Sequence, residues 1–228
     1  MKLLYVTLFI VAASTATAGA QPASPGEQVP GAAVATANEF FESLQVKCSE
    51  DPRFCEQKYE LLDARDLKQA HLNEPWAAFV LSFEDFRNTP FQDLMKAARF
   101  NYFAFPIEYE GRFKGLIKIC HHSEGTDEQW FNCGVRGPTR VAEVNTYNLT
   151  LAPESDSLSV FCVLTVQNNS RYIIVLKGSE FNAIPASDVA CEMISVNVRH
   201  VDKMTMFPLA EVLFKIDRTI KQRDSFKQ

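Results

Sequence analysis

The tripeptide Cys120-His121-His122, with Cys133 further along, is the densest chemistry in this sequence. Thiolate and imidazole are the side chains that hold zinc or copper. The Cys120 thiol could equally act as a nucleophile, with His71 or His200 brought in by the fold as its base. Both readings meet physical objections. Adjacent residues on a strand point to opposite faces, so His121 and His122 do not readily share one metal with Cys120. The spacing matches no standard zinc pattern, and neither a Gly-x-Ser-x-Gly elbow nor a cysteine-protease signature occurs. A bridge between Cys120 and Cys133 would remove the thiolate altogether.

The acids give no stronger lead. Glycosidase chemistry needs two carboxyl groups facing one another in a cleft. The close pairs Glu39/Glu42, Asp63/Asp66, Glu84/Asp85 and Glu108/Glu110 lie near helix starts or a strand end. There, complementing the helix dipole or facing solvent is the simpler role. Phosphate-loop, dinucleotide, zinc-protease and EF-hand motifs are all missing. The sequence therefore assigns no catalytic residue, no metal ligand and no cofactor. The count of 18 Phe is unusual, and they are densest between Phe79 and Phe113. They could line an apolar cavity. Filling a core is the plainer reading, because most occupy positions that periodicity already demands. Phe86, within the polar Glu84-Asp85-Phe86-Arg87-Asn88 stretch, is the one expected to be exposed.

Compartment decides what the sulfurs do. Lys2, the apolar run Leu3–Ala13 and the small residues Ala18-Gly19-Ala20 read as a secretory signal spanning residues 1–20, cut before Gln21. The run is too short to span a bilayer, and no span is expected after its removal. Cys48, Cys55, Cys120, Cys133, Cys162 and Cys191 all survive cleavage. An even number in an exported chain favours bridges. Sequence leaves their pairing open, and chain order suggests 48–55, 120–133 and 162–191. Asn148-Leu149-Thr150 and Asn168-Asn169-Ser170 are glycosylation sequons, so Asn148 and Asn168 are candidate acceptors in a eukaryotic host. Without Lys2, 22 basic residues face 28 acidic ones, a formal charge of −6. No Lys/Arg-rich block interrupts the mixture, which argues against nucleic acid as a partner.

The elements that must position these residues follow from periodicity. Residues 21–33 form a Pro- and Gly-rich leader. Residues 34–224 form a single domain. Val34, Ala37, Phe41 and Leu44 share one face of a first helix. Asp51-Pro52 opens a second, with Asp as its cap and Pro in its first turn. Trp76–Phe83 reads as a buried strand. Thr89-Pro90-Phe91-Gln92 opens a helix whose stripe is Phe91, Leu94, Met95 and Ala98. From Asn101 the period becomes two. Pairing Ile107 with Gly115 and Phe105 with Ile117 puts both apolar sets on one face, which calls for a three-residue loop at Glu110-Gly111-Arg112. Pro106 places its strand at an edge or beside a bulge. Further strands are expected at Gln129–Val135, Arg140–Leu151, Leu158–Val166, Arg171–Lys177 and Glu192–Val201. Leu209, Val212, Leu213, Ile216 and Ile220 then form the stripe of a closing helix begun by Pro208.

The fold class is α+β: N-terminal helices, an antiparallel sheet of about five to seven strands in the second half, and a C-terminal helix packed on the sheet. The turn Tyr109-Glu110-Gly111-Arg112 with Gly115-Leu116-Ile117 resembles extracellular sensor domains of the Cache or PAS type. That resemblance implies small-ligand binding and assigns no site residue here. The functional expectation is a secreted, disulfide-stabilised binding module without catalytic activity. It would be extracellular, or periplasmic in a bacterium, and would recognise a protein partner or a small apolar ligand. The alternative is an exported hydrolase or metal-binding enzyme with a site near Cys120, His121 and His122.

Overall fold

Apolar side chains at helical spacing and at alternate strand positions fill the helix-covered face of a long sheet, and two smaller clusters, around Trp76 and around Ile173, are buried on its other face. The computed structural model describes residues 28–61, 64–124, 127–137, 158–166, 170–177, 179–194 and 205–225. Helix α1 (Gly31–Glu50) buries Ala33, Ala37, Phe41, Leu44 and Cys48. The stripe runs through Ala33, and Val34 is exposed. Helix α2 (Pro52–Tyr59) starts as its residues require: the Asp51 carboxylate accepts from the Phe54 N–H at 3.1 Å, and Pro52 fills the first turn. A bridge between Cys48 and Cys55 pins α2 to α1. A 3-10 turn at Ala64–Gln69 follows.

Among the described residues nine strands form one sheet: β1 (His71–Leu72), β2 (Trp76–Leu81), β3 (Arg99–Tyr109), β4 (Arg112–Glu124), β5 (Asp127–Arg136), β6 (Leu158–Val166), β7 (Ser170–Lys177), β8 (Glu180–Pro185) and β9 (Phe207–Pro208). Their order is β5-β4-β3-β2-β6-β7-β8-β9, with β1 beside β3. Pairing is antiparallel except between β2 and β6. The α+β class stands, with a mixed sheet and more strands than periodicity foretold. The closing helix, which we number α6 (Leu209–Ser225), follows Pro208 and buries all five residues of its expected stripe.

Several local expectations need correction. Ser82 ends β2 and caps helix α3 (Phe83–Asn88) in a reciprocal box with Asp85. Phe86 therefore faces inward and is buried. The stretch after Thr89 is a 3-10 turn (Phe91–Asp93) leading into short helix α4 (Leu94–Ala97), and Phe91 is exposed. Helix α5 (Asp188–Met193) occupies the start of the supposed strand at Glu192, because Ser187 caps it through the Ala190 N–H. The rest of that strand from residue 195 on, the strand at Arg140–Leu151, Asn148 and Asn168 lie outside the described residues.

The β3–β4 hairpin keeps the expected pairing of Ile107 with Gly115 and Phe105 with Ile117. Its loop differs. Tyr109 pairs with Arg112, leaving Glu110 and Gly111 as a two-residue turn with φ of 51° and 71°. Two left-handed residues are what a tight hairpin turn needs. A register shift between Ile107 and Glu108 supplies the extra residue that restores parity. Pro106 lies in an interior strand, and neither an edge nor this bulge explains it: its carbonyl accepts from the Asn73 N–H, so its nitrogen faces the gap between β1 and β2, where no ladder hydrogen bond is lost.

Two clusters fill the helix-covered face. Phe103, Phe105, Ile107, Ile117 and Ile119 pack with α1. Phe79, Leu81, Leu164 and Ile174 pack with α5 and α6. Phe100 touches both, with ring centroids 6.0 Å from Phe79 and 4.8 Å from Phe103. The Phe-rich stretch is thus largely core, with edge-on ring contacts among its members.

Asp85 yields a pH prediction. Burial alone would raise its pKa. Hydrogen bonds from the Ser82 hydroxyl and N–H, and the Arg99 guanidinium, outweigh that and hold it below 3.8. A depressed carboxyl contributes stability above its unfolded pKa and loses it as pH falls through the folded value. Asp85→Ala should cost about 1 kcal/mol at neutral pH. The difference from wild type should shrink in urea titrations run below pH 3.8. A difference constant down to full protonation would refute this account.

Candidate functional site

The β4–β5 hairpin carries the residues singled out for chemistry. Cys120 pairs with Phe131, His121 with Trp130 and His122 with Gln129. Alternation then separates them, as strand geometry demands. His121 faces the helix-covered side, its ring 4.6 Å from Trp130. Trp130 in turn lies 5.7 Å from Phe103 and 6.1 Å from Phe100. The imidazole is the outer member of an aromatic row, and its buried Nε2 has no hydrogen-bond partner. Cys120 and His122 face the other way. No group of three or more His, Cys, Asp or Glu able to hold a metal occurs among the described residues.

Cys120 is bonded to Cys133, so the nucleophile reading loses its thiolate. His71 is poorly placed as a base. It pairs with Glu108, its Nε2 3.9 Å from that carboxylate. The neighbour of Cys120 on β4, Ile119, pairs with Phe103, five strand residues from Glu108. At about 3.3 Å per residue that separation is roughly 16 Å. His200 lies outside the described residues.

Glu108 and Asp66, each from one of the acidic pairs, make structural contacts. Glu108 accepts from the Asn73 amide at 2.8 Å and from the Gly111 N–H at 3.2 Å, steadying the hairpin turn. Asp66 pairs with Lys114 at 3.0 Å, an amine nearly out of solvent that also lies 5.6 Å from the Tyr109 ring. This contact holds the 3-10 turn on β4. Sequence reasoning missed it, because no short-range pattern links Asp66 to Lys114.

The third bridge expected from chain order, between Cys162 and Cys191, is not formed. Both thiols are buried, Cys162 among the apolar residues under α6. Burial pushes the Cys162 thiol up to about 12. Burial also raises Cys191, with Asp188 and Glu192 adding to the effect. Thiols held protonated in a core pack as small apolar groups and react slowly. Unreduced protein should therefore give no thiol to Ellman's reagent when folded and two per chain in denaturant. Six, or none, in denaturant would overturn the assignment.

The opposite face of the hairpin is the more open one. Lys118 places its ammonium 4.5 Å over the Tyr102 ring. Phe131 and Cys133 are exposed, and Cys120 is half-buried. No described helix is long and apolar enough to cross a membrane.

Helices on one face of a mixed nine-stranded sheet, tied by two bridges, define a disulfide-stabilised α+β protein. No family model matches the chain, and neither a curated protein nor a solved structure matches it significantly.

Proposed function

We propose that this chain is a secreted binding module that recognises a protein partner through its folded surface, with residues 34–224 acting as one unit. One observation carries the choice of surface over cavity. Phe103, Phe105 and Ile107, which would line a cavity beneath β3, are buried against α1 in a shared cluster with Phe41 and Leu44. Side chains packed on one another give an apolar guest nothing to displace without cost. Two bridges and the Leu3–Ala13 run support export. The sequons at Asn148 and Asn168 suit the same compartment. The net negative charge disfavours nucleic acid.

Two measurements test the reading. Full-length protein expressed in a secreting eukaryotic host should appear in the medium with Gln21 as its first residue. Its native mass should equal polypeptide plus glycan, and a fluorescent fatty acid should show no saturable binding. Retention in the cytosol with residues 1–20 attached would end the secretion argument. A one-to-one fatty-acid complex would replace surface recognition by ligand carriage.

A further inference from the structure

We propose that the Cys120–Cys133 bridge is a site of thiol–disulfide exchange, opened by a small thiol of the glutathione class while the rest of the fold stays oxidised. The two bridges differ in access. Cys48 and Cys55 have no exposed surface, sealed between α1, α2 and the sheet cluster. Cys133 is exposed, on a strand that ends the order of the sheet. It sits where the register shifts between Lys118 and Ile119, so it is the extra residue of a bulge. Exchange requires a thiolate to reach a sulfur, and exposed bridges are the labile ones.

The surroundings of Cys120 favour its departure. Lys118 lies two residues away on the same strand and so shares its face. A nearby cation stabilises a thiolate and lowers the pKa of a thiol. In the step proposed, the incoming thiolate attacks Cys133 Sγ and forms a new S–S bond to it. The Cys120–Cys133 bond breaks, and Cys120 leaves with the electron pair. A second thiol resolves the mixed disulfide. In sum, two thiols become one external disulfide, and their two protons and two electrons end on Cys120 and Cys133. The opened hairpin carries its own reporter, because Trp130 lies across from His121 beside the broken link. Beyond Ile119, whose partner on β3 is Phe103, β4 keeps only its β5 pairing among the described pairs.

The test uses the full secreted chain with graded reduced glutathione and no denaturant, followed by iodoacetamide and peptide mapping. Cys120 and Cys133 should carry alkyl or glutathionyl groups at concentrations that leave Cys48–Cys55 intact. Trp130 emission should change while far-UV circular dichroism holds. Opening of Cys48–Cys55 at the same concentrations, or opening only with loss of helix signal, would overturn the proposal. The substitution Lys118→Gln should slow exchange roughly threefold by raising the leaving-group pKa. An unchanged rate would overturn the assignment of Cys120 as the leaving group. Should that variant fold poorly, Cys48→Ser with Cys55→Ser leaves the hairpin bridge alone and must still take up glutathione.

Discussion

Gly137→Ala is expected to destabilise the protein by about 3 kcal/mol, near the upper end of what overpacking usually costs. Gly137 is buried just past β5, and its N–H donates to the Tyr59 carbonyl at 2.8 Å. A Cβ built there would lie 1.7 Å from the Glu60 carbonyl oxygen and 2.4 Å from its carbon. Those are backbone atoms, so no rotamer change relieves the clash. Glu60 cannot easily retreat. It ends α2 in a left-handed conformation with φ of 57°, and α2 is bonded to α1 through Cys48–Cys55. The chain must therefore separate α2 from the sheet or distort β5. Thermal unfolding should fall by roughly 10 °C for a chain of this size. Gly31→Ala is the control, since a Cβ there meets nothing within 4 Å. A Gly137→Ala midpoint equal to that control would show that the α2–β5 contact is looser than described.

Gly137 also shows where reading a sequence stops. Nothing around it marks a close approach, because its neighbour in space, Glu60, is separated from it along the chain by every element from the 3-10 turn at Ala64–Gln69 to the end of β5. Features set by neighbours along the chain were legible: the Asp51-Pro52 start of α2, the stripe of α6, and the Ile107–Gly115 register. Each rests on capping, helical period or strand parity, which need no knowledge of the rest of the fold. The errors have several physical sources. Ser82 and Asp85 close a capping box that a run of apolar residues concealed, and so Phe86 turned inward. The register shift beside Glu108 let a two-residue turn do what parity alone assigned to three. The parallel pairing of β2 with β6 joins distant segments, and no local signal announces it. At the hairpin, alternation correctly set His121 apart from Cys120 and His122. The pairing of Trp130 with His121, which gives the imidazole its aromatic neighbour, depends on the β4–β5 register. The idle state of Cys162 and Cys191 was hidden by arithmetic, since an even count invites a third bridge that burial makes unnecessary.

Phe79→Ala should be the costliest core truncation, at about 3–5 kcal/mol. Phe79 is fully buried on β2, the strand that pairs antiparallel with β3 and parallel with β6. It belongs to the cluster under α6, and its ring meets Phe100, which also packs on the cluster under α1. Removing the ring opens a cavity at the junction of the two halves, where strands on both sides limit collapse. The size of the loss reflects missing transfer energy plus that unfilled space. Phe79→Leu keeps most of the volume and should cost about 1 kcal/mol. Phe91→Ala sets the baseline, because Phe91 is exposed and touches Phe214 only edge-on at 6.4 Å. That surface change should stay within about 0.5 kcal/mol. Urea unfolding followed by tryptophan emission and by far-UV circular dichroism reads all three. In wild type the two probes should coincide, because the α1 and α6 clusters share Phe100. In Phe79→Ala the midpoint should drop furthest and the two transitions should begin to separate. A Phe79→Ala midpoint close to that of Phe91→Ala would mean the two clusters are not coupled through this ring.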